Sequence, residues 1–300
     1  MEYHNAVLLK ETVDGLDVQP NGVYVDVTFG GGGHSKEILS RLGANGKLYA
    51  FDQDKDALAN TIDDDRFVLI NENFRYIKRF LRFYGVKEVD GVLADFGVSS
   101  HQFDAGERGF SIRTDAKLDM RMSQQQKLTA HHVVNQYEEA DLARILKNYG
   151  ELKGSYRIAN RIVYHRSQAP INTTGELISK IESLSNHQKM NGFLARVFQA
   201  LRIEVNAEME VLEDLLSQMS DVIKPGGRLV VISYHSLEDR MVKRFIRAGN
   251  AGGDVEKDFF GNPIRPFTPE KGMPIIPTEE EIEINNRARS AKLRIATRNE

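Results

Sequence analysis

The chain contains no cysteine among its 300 residues. This absence excludes disulfide bonds and thiolate metal sites. Long apolar runs are also lacking: no window approaches the 18 or so apolar residues of a membrane span, and the N-terminus has no charged-then-apolar signal pattern. We therefore expect a cytosolic protein with no membrane partner. Its apolar content of 41% is sufficient for a proper core.

Charges of the two signs nearly balance over the whole chain, which has a net charge of −3. They are unevenly distributed, because residues 104–207 carry 15 Lys and Arg against 11 Asp and Glu. That stretch is net positive by 4, and the remainder of the chain is net negative by 7. A basic segment within an acidic chain indicates a polyanionic partner, although a surplus of this size is also common on solvated surface.

Strand-like and helix-like segments alternate through the first hundred residues. The predicted strands are Val23–Asp26, Lys47–Asp52, Phe67–Asn71 and Val89–Asp95, and the predicted helices are 34–42, 54–60 and 74–84. Mostly apolar strands that alternate with helices predict a parallel sheet covered on both faces. The expected fold class is therefore α/β, with a Rossmann-like, mostly parallel sheet.

The alternation stops after Asp95. The next convincing strand is Arg228–Ser233, and apolar residues at helical spacing in 205–223 supply the crossover to it. The intervening residues, 104–207, are far more than a crossover needs and show helical spacing. They predict an all-helical domain inserted into the sheet domain.

The sheet domain is accordingly expected to comprise residues 1–103 and 208–300. A helix is predicted to begin at Ser236, and residues 250–278 are rich in Gly and Pro and are predicted to be irregular. Lys292–Ala296 is predicted to close the sheet as an edge strand.

Four consecutive glycines, Gly30 to Gly33, follow the first strand and precede a helix that opens at His34. Bare backbone of this kind adopts positive φ freely and leaves a helix N-terminus accessible. Asp52 lies 22 residues after Gly30, where nucleoside-binding folds place a carboxylate against ribose hydroxyls. The last glycine of the G-x-G-x-x-G pattern is replaced by Ser35, so the pyrophosphate fingerprint is not formed. A glycine run alone is compatible with an ordinary turn, but in this register it predicts a nucleoside-bearing cofactor.

The carboxyl ends of the other strands supply further candidates, because open parallel sheets bind ligands at that edge. Phe74 follows the third predicted strand, and Asp95 ends the fourth. Alternative interpretations are core packing for Phe74, capping of its own turn for Asp95, and donation to a backbone carbonyl for His34. Two basic stripes at helical spacing are interpreted as solvated outer surface: Arg75, Lys78, Arg79 and Arg82, and Arg240, Lys243, Arg244 and Arg247.

Seven longer motifs then identify a resemblance. They are Asp26-Val27-Thr28-Phe29-Gly30-Gly31-Gly32-Gly33-His34-Ser35, Asp95-Phe96-Gly97-Val98-Ser99-Ser100, Glu107-Arg108-Gly109-Phe110-Ser111, Leu118-Asp119-Met120-Arg121-Met122, Phe198-Gln199-Ala200-Leu201-Arg202-Ile203, Ser233-Tyr234-His235-Ser236-Leu237-Glu238-Asp239-Arg240 and Asn286-Arg287-Ala288-Arg289-Ser290. Together they resemble the bacterial small-subunit ribosomal RNA cytosine-N4 methyltransferases, the MraW family. The motifs occur in order and span essentially the whole chain.

This resemblance implies S-adenosyl-L-methionine as the cofactor and a class I methyltransferase sheet with a helical insertion for substrate. It implies methylation of a decoding-centre cytidine in small-subunit ribosomal RNA, within the assembled or nearly assembled subunit. The sequence itself leaves a homodimer open, and none of its residues is assigned as a metal ligand. The family's cofactor-binding residues correspond to Gly32, Gly33, His34, Asp52, Phe74, Asp95 and Gln102.

The composition separates two cytosine methylation chemistries. Methylation at carbon 5 proceeds through a cysteine adduct, which this chain cannot form, whereas methylation of the exocyclic N4 amine needs no covalent intermediate. Asp95 is the candidate catalytic acceptor for the amine hydrogens, a role that the sequence does not separate from cofactor binding. Candidate RNA contacts in the insertion are Phe110, Arg121 and Arg202, because a splayed base is typically held by aromatic and Arg side chains.

Two other classes of function remain open on the sequence. A nicotinamide-dependent dehydrogenase would bind NAD, but it prefers the missing third glycine of the fingerprint. A non-catalytic RNA-binding protein would transfer no methyl group.

Overall fold

The computed structural model describes residues 6–98, 106–262 and 264–300. It divides into two compact units: the sheet unit, up to Gly97 and from Met209 onward, and the helical unit, Val98–Glu208. In the described ranges, no helix is both long enough and apolar enough to cross a lipid bilayer.

The sheet unit is built on seven strands. They are β1 Val23–Asp26, β2 Lys47–Phe51, β3 Phe67–Ile70, β4 Val89–Asp95, β5 Ile223–Ser233, β6 Phe267–Pro269 and β7 Lys292–Arg298. Their order in the sheet is β3-β2-β1-β4-β5-β7-β6. The first five strands pair in parallel, and β7 pairs antiparallel with both β5 and β6. The strand order reverses between β1 and β4, the place where doubly wound sheets bind ligands.

The helices in chain order are α1 Leu9–Leu16, α2 Gly33–Arg41, α3 Ile77–Phe83, α4 Ala130–Gln136, α5 Glu139–Asn148, α6 Ser155–Arg166, α7 Thr174–Ile181, α8 Met190–Asn206, α9 Glu208–Val222, α10 Ser236–Ala248 and α11 Glu279–Ile284. Short 3-10 helices span Lys55–Asn60, Phe74–Tyr76, Gly106–Arg108, Glu182–Leu184, His187–Lys189 and Asn286–Ser290. The α/β alternation expected from the sequence is therefore present.

Both faces of the sheet are covered, as its apolar strands require. One core packs α3, α9 and α10 against the sheet, with Leu81, Leu215 and Phe245 almost fully buried. The opposite core packs α1 and α2 through Leu16 and Ile38. A hydrogen bond joins the start of α1 to α11, near the C-terminus. The amide of Leu8, which precedes α1, donates to Glu281 Oε1 at 2.7 Å.

The structure corrects two details of the predicted sheet. The strand β5 begins at Ile223, before the predicted start, and its pairing jumps from Ile223 opposite Val89 to Arg228 opposite Gly91, so residues 224–227 form a bulge. The strand β7 was expected at the edge but lies inside the sheet, because β6 covers it. A three-residue strand in a segment rich in Gly and Pro gives no period-2 pattern long enough to detect.

The helical unit contains α4 to α8 and has a core of its own. Apolar residues at helical spacing form this core, including the fully buried Leu142, Ile162, Leu177 and Leu201. Thr129 and Thr173 accept hydrogen bonds from backbone amides at the starts of α4 and α7.

Candidate active site

The glycines of the loop after β1 have different structural roles. Gly30 and Gly32 have φ values of 51° and 76°, a region that residues with side chains rarely adopt. A Cβ on Gly32 would also lie 2.9 Å from the Phe29 ring, and one on Gly33 would lie 2.9 Å from the Ala6 Cβ. A Cβ on Gly31 would meet no atom within 4 Å. The loop is therefore tightly fitted to the protein at Gly32 and Gly33 and open above Gly31.

Asp52 follows β2 and organises this loop. Its Oδ2 accepts a hydrogen bond from the Gly30 amide at 2.8 Å, and its Oδ1 accepts one from the Asp54 amide at 2.8 Å. The side chain of Asn60 donates to the Gly30 carbonyl at 3.0 Å. Each carboxylate oxygen retains a further lone pair. Asp52 therefore holds the glycine loop in place and can still accept hydrogen bonds from a ligand.

A buried polar network joins the ends of β1 and β4. Asp26 accepts hydrogen bonds from the Thr28 amide at 3.1 Å and from the Ser35 hydroxyl at 2.7 Å. The Thr28 hydroxyl in turn accepts the amide of Asp95 at 2.7 Å. Ser35, which replaces the third fingerprint glycine, thus ties α2 to β1. This network sets the position of Asp95 relative to the glycine loop.

Asp95 stands at the carboxyl end of β4 between two conspicuous partners. The Tyr234 hydroxyl donates to its Oδ1 at 2.7 Å, and His34 Nδ1 lies 3.8 Å from its Oδ2. His34 Nε2 lies 3.1 Å from the carbonyl oxygen of Val7, which agrees with the alternative interpretation that this ring contacts a backbone carbonyl. The Asp95 side chain keeps 21% of its surface exposed. The Asp95 carboxylate is therefore accessible to a ligand.

Burial controls the charge of the site's carboxyl groups. Burial raises the pKa of Asp95 to about 6, although His34 and the Tyr234 hydroxyl oppose the rise. Burial also raises the pKa of Asp52 to about 6 against the two backbone hydrogen bonds that it accepts. The pKa of Asp26 is raised by its burial as well. Near neutral pH, Asp52 and Asp95 are carboxylates, the form that accepts hydrogen bonds.

Tyr234 is a functional candidate that our sequence reasoning missed. Its backbone amide donates to Glu238 Oε2 at 2.8 Å, and its ring packs on Gly97, where a Cβ would lie only 3.3 Å away. Gly97 itself has a φ of 106°. Tyr234 directly follows β5, so the strand-end rule that selected Asp95 would also have found it.

The remaining cofactor candidates differ in placement. Phe74 begins the 3-10 helix after β3 and is partly buried against the core, with its ring 6.0 Å from that of Phe96. Asn73 caps this helix by accepting the Arg75 amide at 2.9 Å. Gln102 lies outside the described residues.

The three candidate RNA contacts lie in the helical unit and are engaged there. Phe110 is 6% exposed, within the core. Arg121 forms a bidentate pair with Asp119 at 2.8 Å. Arg202 forms a similar pair with Glu208 at 2.7 and 2.8 Å. Their roles in RNA binding stay predictions.

Comparisons with known proteins agree along the whole chain. The sequence model of the MraW methylase family matches residues 1–299. Proteins named ribosomal RNA small subunit methyltransferase H from Christiangramia forsetii and Flavobacterium johnsoniae are each 63% identical over 296 residues, which is 99% of this chain and 98% of theirs. A protein of the same name from Bacteroides thetaiotaomicron is 55% identical, over 99% of this chain and 97% of its own. Among solved structures, an rRNA methylase from Streptococcus thermophilus aligns with 97% of this chain and 95% of its own, at 13% identity and a TM-score of 0.44.

Proposed function

Because this chain belongs to the MraW methylase family and is therefore a methyltransferase, we propose that it methylates the exocyclic N4 of a cytidine in small-subunit ribosomal RNA, near the decoding centre. The names of its close relatives support the RNA substrate. The proposed methyl donor is S-adenosyl-L-methionine. The observation that carries the proposed reaction is the partly exposed Asp95 carboxylate at the end of β4, beside the start of α2 that follows the glycine loop.

The residues of the site fit this donor. Asp52 would accept the ribose hydroxyls, the open space above Gly31 would admit the ligand, and Phe74 would contact the adenine. Gly32, Gly33 and His34 line the same loop and helix start, and Gln102 completes the proposed set. When bound, the cofactor supplies an electrophilic methyl group on a sulfonium.

Asp95 would activate the base. The N4 lone pair of cytosine is delocalised into the ring, so the amine is a weak nucleophile. A carboxylate that accepts a hydrogen bond from the N4 amine localises this lone pair, and fixed groups of this kind supply much of an enzyme's rate. As the nitrogen–methyl bond would form and the methyl–sulfur bond would break, the amine would lose one proton, and the Asp95 carboxylate is the group placed to take it. Two hydrogen bonds fix the position of Asp95. The Tyr234 hydroxyl donates to its side chain, and the Thr28 hydroxyl accepts its backbone amide. No cysteine adduct is involved, in accord with the composition.

The proposed function is tested by mapping modified nucleosides in small-subunit RNA after incubation with the protein and labelled S-adenosylmethionine. Small subunits from cells that lack the enzyme provide the unmodified substrate. The expected product is one N4-methylated cytidine. A thermal shift with NAD but not with S-adenosylmethionine would instead indicate a dehydrogenase, and RNA binding without methyl transfer would indicate a binding protein.

The open position in the glycine loop gives a first prediction. Gly31→Ala is expected to leave the free energy of unfolding within about 0.5 kcal/mol of wild type, but to weaken S-adenosylmethionine binding at least ~10-fold by filling ligand space. Gly32→Ala, at φ 76° and against Phe29, is expected to cost about 1–3 kcal/mol of stability. Urea unfolding and calorimetric titration measure the two effects. An unchanged affinity in Gly31→Ala would contradict this placement of the cofactor.

The helical unit is proposed to bind the RNA, since the stretch 104–207 carries the positive surplus. A chain in which a short linker replaces residues 104–207 is expected to bind S-adenosylmethionine with near wild-type affinity and to lose RNA methylation entirely. Calorimetry and the nucleoside assay measure the two properties. Methylation by the shortened chain would show that the insertion is not the substrate domain.

The assembled or nearly assembled small subunit is the proposed form of the substrate, which would place the protein in the cytoplasm. A second copy of the chain is a further proposed partner, and sedimentation of the protein alone and with small subunits would test both proposals.

A further inference from the structure

A cavity of about 360 Å³ lies near the far edge of the sheet unit, away from the glycine loop. It is bounded by α10, by β6 and by β7, and we refer to it as the edge cavity. The strand β6 is four strand spacings from β1, or about 19 Å across the sheet. A ligand in the edge cavity is therefore separate from one at Asp52 and Asp95.

The edge cavity is strongly cationic. Its lining includes Lys243, Arg247, Arg265 and Arg294, with Glu270 as the single acidic side chain. Within the described part of the chain, Lys243, Arg247 and Arg265 form no ion pair. Lys243 and Arg247 belong to one of the basic stripes that the sequence alone favours as solvated surface.

The other two charged groups are already neutralised. Arg294 pairs with Asp239 at 2.7 Å. Glu270 pairs with Arg228 and accepts the Thr297 hydroxyl at 3.0 Å. The net charge facing the cavity is thus positive and available to an anion.

The walls between these charges are apolar. Ile246, Phe267 and Ile295 line the cavity and are buried. A cavity with cations around an apolar wall suits a ligand that carries both a phosphate and a flat or apolar body, such as a nucleotide.

An aromatic turn precedes Arg265 in the chain. Phe259 and Phe260 are 97% and 84% exposed, with their rings 5.6 Å apart. The turn is held by Asp258, whose Oδ1 accepts the amides of Phe260 at 2.9 Å and Asn262 at 2.8 Å. Only four residues separate Phe260 from Arg265 in the chain. Exposed aromatic rings together with cations are the usual elements of a surface that binds single-stranded nucleic acid.

We propose that the edge cavity and the aromatic turn bind a single-stranded segment of the substrate RNA that flanks the target cytidine. Lys243, Arg247 and Arg265 contact its phosphates, and Phe259 and Phe260 stack on its bases. This inference rests on the proposed function, because it takes the substrate to be RNA. It assigns an RNA contact to the sheet unit in addition to the helical insertion.

The test compares two double variants that remove the same charge. Lys243→Gln with Arg265→Gln alters the edge cavity, and Arg79→Gln with Arg82→Gln removes two exposed cations elsewhere on the sheet unit. Unmodified small ribosomal subunits serve as substrate. The cavity variant is expected to raise KM at least ~10-fold with little change in kcat, and to reduce the slope of log affinity against log salt by about 1.4, as two lost phosphate contacts require. The Arg79/Arg82 variant is expected to change KM less than ~2-fold.

The aromatic turn is tested in the same assay. Phe259→Ala with Phe260→Ala is expected to raise KM about 10-fold. Ile284→Ala, which truncates a side chain that is 77% exposed, is expected to leave KM unchanged. Binding of S-adenosylmethionine, measured by calorimetry, is expected to equal wild type in all four variants, which also confirms that they fold.

The outcomes separate this inference from the proposed function. If the wild-type protein methylates small subunits and the cavity variant has a wild-type KM, the inference is wrong and the function stands. Equal losses in the cavity and the Arg79/Arg82 variants would show a general charge effect and would also overturn it. Cytidine monophosphate binding that is lost in the cavity variant while KM for subunits is unchanged would identify a small-molecule site instead. If the wild-type protein neither methylates nor binds small subunits, the proposed function itself fails.

Discussion

Asp52→Ala is expected to weaken S-adenosylmethionine binding by at least ~100-fold, measured by calorimetric titration. The substitution removes the acceptor for ribose hydroxyls and the acceptor that fixes the Gly30 and Asp54 amides. Hydrogen bonds to a charged group contribute roughly 1.5–3 kcal/mol each, so the loss of two ligand contacts accounts for an effect of this size.

Two further variants separate ligand contact from loop support. Asp52→Asn keeps the size of the side chain but offers one acceptor oxygen, and its affinity is expected to lie between those of alanine and wild type. Asp63→Asn changes an exposed carboxylate nearby and is expected to have no effect. If Asp52→Ala binds the cofactor as wild type does, Asp52 serves only the protein's own structure.

Asp95→Asn is expected to lower kcat for RNA methylation by about 10²–10³-fold, the usual cost of losing one preorganised charge-stabilising group. The substitution is isosteric and keeps an oxygen for the Tyr234 hydroxyl, so the fold is expected to be unaffected. Affinity for S-adenosylmethionine is expected to fall less than ~10-fold, because the amide oxygen of Asn still accepts a hydrogen bond where Asp95 contacts the cofactor.

The comparison of kcat with cofactor affinity decides between the two roles of Asp95 that the sequence leaves open. If the loss of activity disappears at saturating S-adenosylmethionine, Asp95 is a cofactor ligand and another group activates the amine.

The pH dependence of the same reaction follows from the charge of Asp95. Its pKa of about 6 means that the accepting carboxylate forms as pH rises, so kcat is expected to increase through about pH 6 and then level off. The Tyr234 hydroxyl lowers the pKa of Asp95, and Tyr234→Phe is therefore expected to shift this increase to higher pH. A Tyr234→Phe profile that is lower at every pH but unshifted would mean that the hydroxyl does not contact Asp95.

The raised pKa also has a consequence for stability. The folded protein holds a proton on Asp95 up to about pH 6, whereas an ordinary Asp loses it near 3.8. The folded state thus binds more protons in this window, and the contribution of Asp95 to the free energy of unfolding falls as pH rises from about 4 to about 6. The pKa of Asp52 is also raised to about 6, so its contribution to the free energy of unfolding likewise falls as pH rises through this window.

The sequence was sufficient for the features that depend on local pattern. The bounds of β1 and β4 were predicted correctly, and the ends of β1, β2 and β4 located the glycine loop, Asp52 and Asp95. Apolar alternation and glycine chemistry are local properties, so they can be recognised in one segment at a time.

Features that depend on distant partners were not predictable in the same way. The strand β7 was expected at the sheet edge, and its interior place depends on three residues, Phe267–Pro269, in a segment without a pattern. Phe110 was selected as a candidate RNA contact because it is aromatic, and the sequence did not show that tertiary packing buries its side chain. The strand-end rule finds both Tyr234 and Asp95, but the hydrogen bond between them spans 139 positions and depends on the pairing of β4 with β5 in the folded sheet.

The interior position of β7 constrains how the sheet unit is made. Of the seven strands, β7 is synthesised last, yet it lies between β5 and β6 and has Ile295 packed against Gly15 of α1. Until it emerges from the ribosome, β5 has an unpaired edge and α1 lacks part of its packing surface. An open, apolar strand edge favours association between chains. A nascent chain halted before Lys292 is therefore exposed to aggregation, and completion of the sheet must wait until translation has passed that residue.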